Sequence, residues 1–209
     1  MARSIFFSFH YADVSSFRAN VVRNSWLTMR DRHANFIDKS MWEEAERKGT
    51  TALKNLIANG LNGTSVTVIL IGSETCTRRW VRYEIIKSFT ENKGILAVHI
   101  NRIKSIKDGV IAKGINPLTR LALSVSDDCK IVSFFELVDR KWIPFSDLPS
   151  INNRLANSVY FEDGWFNKFK CGKSYRFSDL FTQEYDWVTD DGYNNFAEWI
   201  EDAAKFVGR

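Results

Sequence analysis

Two nearly continuous apolar runs stand out in the first half of the chain. Residues 65–71 read SVTVILI and residues 94–100 read GILAVHI. Strands that are apolar on both faces are typical of a parallel sheet that helices cover on both sides. A third apolar segment at 4–10, SIFFSFH, predicts the first strand of the same sheet.

Segments with helical spacing separate these strands. Asp13 offers an N-cap for a first helix, residues 42–59 predict a second, and residues 75–92 predict a third. The apolar stripe of the third helix consists of Val81, Ile85 and Phe89. The first hundred residues therefore read strand, helix, helix, strand, helix, strand, which predicts an α/β protein with a mostly parallel central sheet.

The pattern is looser beyond residue 101. A long loop leads to a further strand at 130–138, and residues 142–181 are aromatic and turn-rich without a clear period. A closing helix, capped by Asp190 or Asp191, has an apolar face formed by Tyr193, Phe196, Ile200, Ala203 and Val207. We expect one domain over 1–209, with its core at about 1–140 and a carboxyl-terminal elaboration and closing helix at about 141–209.

Composition narrows the class of ligand. The 209 residues are 44% hydrophobic, which is enough for a substantial core, and the 29 basic and 25 acidic residues give a net charge of +4. Because the charges are spread without long runs of one sign, nucleic acid is not an expected partner. A modest positive bias favours an anionic small molecule such as a dinucleotide.

Cysteine usage and hydropathy bear on the compartment. Cys76, Cys129 and Cys171 are far apart and odd in number, so they predict free thiols in a reducing cytoplasm. No stretch reaches the roughly 20 apolar residues that a membrane-spanning helix needs. We therefore expect a soluble cytoplasmic protein that does not associate with a membrane.

Several familiar chemical signatures are absent from the sequence. It contains neither GxxxxGK[ST] nor, after its strands, GxGxxG, so neither a P-loop nor a standard dinucleotide-binding turn is predicted. His10, His33 and His99 are scattered without metal-ligand spacing, so no metal site is expected. His99 lies inside a buried run and is interpreted as a hydrogen-bonded core histidine.

Glu84 is the main candidate for chemistry. It follows Trp80 by four residues on the third predicted helix, beside the carboxyl ends of two predicted strands. Ligands of parallel sheets bind just beyond those ends. Position alone also fits an ordinary surface glutamate paired with Lys87 or Arg82.

Short motifs in this region resemble those of TIR domains. The segment GSET at 72–75, followed by RWVRYEI at 79–85, is similar to the TIR pattern of a serine-containing turn followed by W-C-x-x-E-[LI]. The opening IFFSF at 5–9 resembles the first-strand motif D-[VI]-F-[IL]-S-[YF]. In order along nearly the whole chain, FFSFHYADV, FRANVVRNSW, WEEA, WVRYEI and YDWVTDDGYNNF resemble the ThsB proteins of bacterial Thoeris anti-phage systems.

The resemblance implies a TIR or flavodoxin-like three-layer fold and an enzyme that consumes NAD. On sensing a phage-derived trigger, such an enzyme makes a cyclic ADP-ribose isomer or a related signal, which activates a separate Thoeris effector protein. NAD is then a substrate and no cofactor is implied, while assembly into a homo-oligomer is an open expectation. The implied catalytic residue is Glu84, and the implied substrate-binding residues are Ser8, Phe9, His10, Tyr11 and Trp80.

Two departures from the TIR pattern involve three residues. Val81 replaces the usual cysteine, and His10 and Tyr11 stand where many TIR domains carry basic residues. The resemblance therefore assigns no phosphate-binding residue. A single carboxylate can nevertheless suffice for the chemistry, because nicotinamide already carries positive charge in NAD and leaves as a neutral molecule without a general acid.

Two alternatives remain open on the sequence. A TIR-fold scaffold would sense phage protein through contacts alone, with Glu84 as a surface residue. A nucleotide-modifying or nuclease-like domain would use Asp13, Glu43 and Glu46 with a metal ion, although these acids also fit solvated helix surfaces.

Overall fold

Ten strands and seven α-helices occur in the described residues, 3–28, 33–152 and 169–209, of this computed structural model. The strands are β1 (Ser4–Ser8), β2 (His33–Asn35), β3 (Val66–Ile71), β4 (Gly94–His99), β5 (Leu121–Val125), β6 (Ile131–Val138), β7 (Lys141–Pro144), β8 (Ile151–Asn152), β9 (Ser174–Arg176) and β10 (Glu184–Asp186). The helices are α1 (Tyr11–Ser15), α2 (Arg18–Leu27), α3 (Lys39–Lys48), α4 (Thr50–Leu61), α5 (Arg79–Thr90), α6 (Phe177–Leu180) and α7 (Gly192–Phe206).

The central sheet is parallel throughout. Its strand order is β2-β1-β3-β4-β10, and every neighbouring pair runs in the same direction. All residues of β3 and β4 are buried, as their apolar runs predicted. The order matches the flavodoxin-like arrangement 2-1-3-4-5. In that arrangement a ligand cleft forms beyond the carboxyl ends of the two neighbouring strands at which the strand order reverses, here β1 and β3.

Helices cover both faces of this sheet, which confirms the predicted α/β fold. On one face α2 and α7 pack through Val22, Trp26, Phe196 and Ile200 against β1, β3 and β4. On the other face lie α4 and α5. The predicted stripe of α5 is buried, with exposures of 3% for Val81, 0% for Ile85 and 4% for Phe89.

Three helical predictions need correction. Asp13 is inside α1 instead of capping it, and α2 begins only after Phe17, whose φ is 65°. The predicted helix at 42–59 is two helices, because Gly49 adopts a φ of 96° that only glycine accepts readily. In α7, Tyr193 is exposed, since Trp187 fills the end of the apolar face against Gly192.

An antiparallel sheet, here called the second sheet, lies between β4 and β10 along the chain. Its order is β7-β6-β5-β9, with β8 paired to β6. The sequence indicated only β6, since β5 falls at the end of what was interpreted as a loop and the later strands are very short. Residues 153–168 of the aperiodic region lie outside the described residues. Because β10 is an edge strand of the central sheet, the sheet includes residues from both the predicted core and the predicted carboxyl-terminal elaboration.

Two cysteines are bonded to each other, so the prediction of three free thiols is wrong. Cys129 and Cys171 form a disulfide between residues 42 apart in the chain, whereas Cys76 is free and buried. Pairing of β5 with both β6 and β9 brings the two Cα atoms to 4.8 Å. Such proximity arises from strand register, which cysteine spacing does not reveal.

Across the described ranges, no helix has both the length and the apolar character that crossing a membrane requires.

Candidate active site

Glu84 and Ser8 meet at the carboxyl end of β1. The hydroxyl of Ser8 donates a hydrogen bond of 2.5 Å to Oε2 of Glu84. Ser8 is the last residue of β1, and Glu84 lies between the buried Val81 and Ile85 on α5, so packing of the helix on the sheet brings the carboxyl group to the strand end. Glu84 is only 5% exposed.

Burial dominates the electrostatics of Glu84. It raises the pKa of the carboxyl group to about 8, while the hydrogen bond from Ser8 acts in the opposite direction. The alternative of a surface glutamate is wrong, because Lys87 pairs with Glu91 at 3.0 Å and Arg82 with Glu136 at 3.1 Å. Near neutral pH the carboxyl group is therefore largely protonated.

A pocket of about 340 Å³ opens above this carboxyl group. Its volume lies in the usual range for small-molecule sites. It is lined by Phe6, Phe7, Phe9, His10, Tyr11, Ile37, Trp42, Thr77, Arg78, Arg79, Trp80, Val81 and Glu84. Four of the five predicted substrate-binding residues thus line one pocket together with Glu84. The fifth, Ser8, does not line the pocket but is hydrogen-bonded to Glu84. Their assignment to substrate binding remains a prediction.

Aromatic rings form much of the wall. Edge-to-face pairs connect them, with centroid separations of 6.0 Å for Phe9 and Tyr11, 5.8 Å for Tyr11 and Trp42, and 6.1 Å for Trp42 and Trp80. Such a wall excludes water and offers flat surfaces to a planar ring. The sequence did not assign Trp42 to the site, although the WEEA motif that contains it belongs to the resemblance.

Tyr11 fixes the geometry of this wall. Its hydroxyl donates to the carbonyl oxygens of Ile37 and Asp38, each at 3.1 Å. Asp38 in turn caps α3, because its carboxylate accepts a hydrogen bond of 2.9 Å from the amide of Met41. Burial, and then the charge of Glu84, raises the pKa of Tyr11 above its usual range, so the phenol keeps its proton. These hydrogen bonds therefore connect the start of α1 to the segment just before α3.

Behind Trp80, a layer of polar contacts supports the ring. The guanidinium carbon of Arg79 lies 5.1 Å from the centroid of Trp80, a cation–π arrangement. Asp147, which follows β7 in the second sheet and is buried, accepts hydrogen bonds from Nε and Nη2 of Arg79. Tyr83 packs edge-to-face against Trp80, with a centroid separation of 5.5 Å. The second sheet thus contributes to the shape of the pocket.

The acids of the metal-dependent alternative are not gathered into a site. Glu43 and Glu46 are exposed on α3, whereas Asp13 is buried with its pKa raised to about 6, chiefly by burial. Within the described part of the chain, no cluster of three or more histidine, cysteine or acidic side chains could hold a metal ion. His99 is in contact with Glu184 at 2.7 Å, which agrees with its interpretation as a bonded core residue.

Comparison with known proteins gives two matches. The family model described as "Thoeris protein ThsB, TIR-like domain" matches residues 6–105, a range that contains the last three residues of β1, all of β3 and α5, and the whole lining of the pocket. Over 202 residues the chain is also 44% identical to a protein of Bacillus cereus (strain MSX-D12) named "Putative cyclic ADP-D-ribose synthase ThsB1". That match covers 96% of this chain and 100% of the relative.

Proposed function

Because the chain belongs to the ThsB family of TIR-like Thoeris proteins, we propose that it cleaves NAD at the nicotinamide–ribose bond and releases a cyclic ADP-ribose isomer or a related ADP-ribose signal. The observation that carries the proposal is the buried carboxyl group of Glu84 at the floor of an aromatic pocket. The name of the Bacillus cereus relative, a cyclic ADP-D-ribose synthase, supports NAD as the substrate.

Binding of NAD activates Glu84. The free carboxyl group, with a pKa of about 8, is largely protonated at neutral pH. A cationic nicotinamide ring placed against the aromatic wall favours the ionised form, so the carboxyl group releases its proton to the solvent as the substrate binds. Ser8 donates to Oε2 and holds the carboxylate in one orientation. The site then presents a negative charge to the ribose ring of the substrate.

Bond cleavage needs no proton donor at the leaving group. The bond between the ribose carbon and the nicotinamide nitrogen breaks, its electron pair stays on nitrogen, and neutral nicotinamide departs. Positive charge develops on the sugar, where the carboxylate of Glu84 stabilises it, an effect typically worth about 3 kcal/mol for one well-placed group. The aromatic wall limits attack by water, which favours attack by an atom of the same molecule and closure of a ring.

The decisive experiment compares the wild-type protein with Glu84→Gln, which keeps the side-chain shape and removes the charge. Each protein is incubated with NAD, with and without lysate of phage-infected cells, and the nucleotides are separated by chromatography. We expect conversion by the wild-type protein and by Glu43→Gln, whose side chain is exposed on α3, but not by Glu84→Gln. Normal conversion by a folded Glu84→Gln protein would remove the proposal.

The scaffold alternative gives a different outcome. A scaffold would produce no new nucleotide under any activating condition, yet would still alter survival of infected cells. For the signalling step, we expect a protein-free filtrate of the wild-type reaction to activate a Thoeris effector protein. The same filtrate from Glu84→Gln should be inactive. Activation that requires physical contact between the two proteins would favour the scaffold.

A further inference from the structure

Charge is unevenly distributed around the pocket. Among the described lining residues, Glu84 at the floor is the one acid, whereas His10, Arg78 and Arg79 carry the basic groups at the rim. A dinucleotide has the complementary arrangement, since its cationic ring and its anionic pyrophosphate lie on opposite sides of one ribose. The rim therefore has the sign of charge that the phosphates need.

Two of the three basic groups are unsuited to bind phosphate. Arg79 is engaged through Nε and Nη2 by the buried carboxylate of Asp147, which neutralises it. Burial and the positive charge of Arg78 both lower the pKa of His10, so the imidazole is neutral. Arg78 is left as the source of positive charge at this rim.

Arg78 has an unused donor. Its Nη2 pairs with Glu74, which is exposed and one helical turn away, but its Nε is buried without a hydrogen-bond partner among the described residues. A buried guanidinium donor without an acceptor costs free energy, and a phosphate oxygen is a strong acceptor for it. The ion pair with Glu74 lies at the surface and is weak enough for a ligand to displace.

The position of Arg78 also fits the substrate. Arg78 immediately precedes α5 and lies six residues before Glu84, about 9 Å along the helix axis. In NAD, one ribose and its exocyclic carbon separate the bond that breaks from the nearest phosphate. An arginine and a carboxylate at this spacing can hold the two ends of that unit.

From these observations we propose that Arg78 binds the pyrophosphate of the dinucleotide, an assignment that rests on the proposed NAD chemistry. Arg78 is also the N-cap residue of α5, whose first-turn amide groups have no side-chain cap, so the positive end of the helix dipole adds to the charge of Arg78 there. Glu74 is an internal competitor that occupies Nη2 until substrate arrives.

Calorimetric titration with two fragments of the substrate tests this assignment. ADP carries the pyrophosphate without nicotinamide, and nicotinamide riboside carries the scissile bond without phosphate. For Arg78→Gln we expect roughly tenfold or greater loss of ADP affinity and unchanged affinity for nicotinamide riboside. Lys87→Gln on the same helix, where Lys87 pairs with Glu91, is the matched control and should bind both fragments normally.

A second variant should change affinity in the opposite direction. Glu74→Gln releases Nη2 of Arg78, so ADP should bind more tightly, most clearly at low salt where charges are least screened. The assignment is overturned if the wild-type protein does not bind ADP, or if Arg78→Gln retains full ADP affinity or weakens both fragments equally. Thermal melting confirms that each variant is folded.

These measurements do not require turnover, so the two proposals can fail separately. A wild-type protein that binds ADP through Arg78 but never consumes NAD contradicts the proposed function and leaves the phosphate site in place. If the protein consumes NAD while its ADP affinity is indifferent to Arg78, the phosphate assignment is wrong and the proposed function stands.

Discussion

Ser8 and Glu84 come from elements 76 residues apart in the chain and share a buried hydrogen bond of 2.5 Å. This hydrogen bond lowers the pKa of Glu84, against the larger effect of burial, which raises it. The serine therefore controls how easily the carboxyl group ionises, in addition to fixing its direction.

Ser8→Ala should shift the pH dependence of NAD cleavage to higher pH. Without the hydroxyl donor the pKa of Glu84 rises further, so the ascending limb of kcat/KM against pH should move to higher pH. Activity at neutral pH falls accordingly and recovers in part at alkaline pH. Ser8→Thr, which keeps a hydroxyl group, is the control; a profile that Ser8→Ala leaves unmoved contradicts the role given to the hydrogen bond.

Glu84→Gln should stabilise the fold while abolishing activity. The folded-state pKa of about 8 lies above the ordinary glutamate value of 4.5, so the folded protein binds this proton more tightly than the unfolded chain does. Wild-type stability relative to the variant therefore declines as pH rises from about 4.5 to about 8 and then levels off. Thermal melting across this range should show a difference in Tm that is small in acid and largest above pH 8.

Trp42→Ala should weaken substrate binding. The ring of Trp42 packs edge-on against Trp80 and Tyr11, so its loss opens one side of the pocket to water. We expect a higher KM for NAD and a larger share of linear ADP-ribose among the products, because water competes better for the ribose cation. Trp42→Phe should restore most of both properties; a product ratio that neither variant changes argues against a role for the ring in excluding water.

Asp147→Asn tests the support that the second sheet gives to the pocket. The Arg79 guanidinium holds the pKa of Asp147 below its usual value, so the carboxylate is charged at neutral pH. Removing the charge releases Arg79 from its place over Trp80, and we expect slower turnover together with a lower Tm. Lys54→Gln loses a hydrogen bond to the carbonyl oxygen of Asp147, a 4.0 Å ion pair with its carboxylate and a cation–π contact with Tyr83. Because it leaves the pair of Arg79 and Asp147 intact, it should have the milder effect on turnover.

The disulfide should contribute measurably to stability. A cross-link between Cys129 and Cys171, 42 residues apart, restricts the unfolded chain by roughly 4 kcal/mol on loop-entropy grounds. Mass spectrometry under non-reducing conditions should detect the linked peptides. Reduction, or the Cys129→Ser variant, should then lower the Tm, and an identical melting curve with and without reductant would contradict this expectation.

The central sheet could be predicted because its signals are local. The apolar runs of β3 and β4 and the stripe of Val81, Ile85 and Phe89 each specify their own burial. In contrast, β9 and β10 have three residues each, too few for a periodic pattern, and become strands only by pairing with distant partners. The disulfide depends on the same long-range register.

The sequence could predict those site residues that lie at the carboxyl ends of the parallel strands. Residues after β1 and on α5 must converge at one edge of a parallel sheet, so Phe9, Tyr11 and Glu84 could be grouped from the sequence. Trp42 and Asp147 could not be placed this way. Trp42 reaches the pocket because Tyr11 fixes the segment before α3. Asp147 does not line the pocket and acts on it through Arg79, which it binds.

The ribosome synthesises β10, an edge strand of the central sheet, long after the residues that line the pocket. All lining residues of the pocket lie between positions 6 and 84, yet β4 gains its outer neighbour only when residues 184–186 have been synthesised. Until then the ribosome-bound chain presents the unpaired edge of a mostly apolar strand, which favours association with other chains. A fragment that ends near residue 140 would therefore carry every pocket residue and still tend to aggregate, so each test of catalysis requires the whole chain.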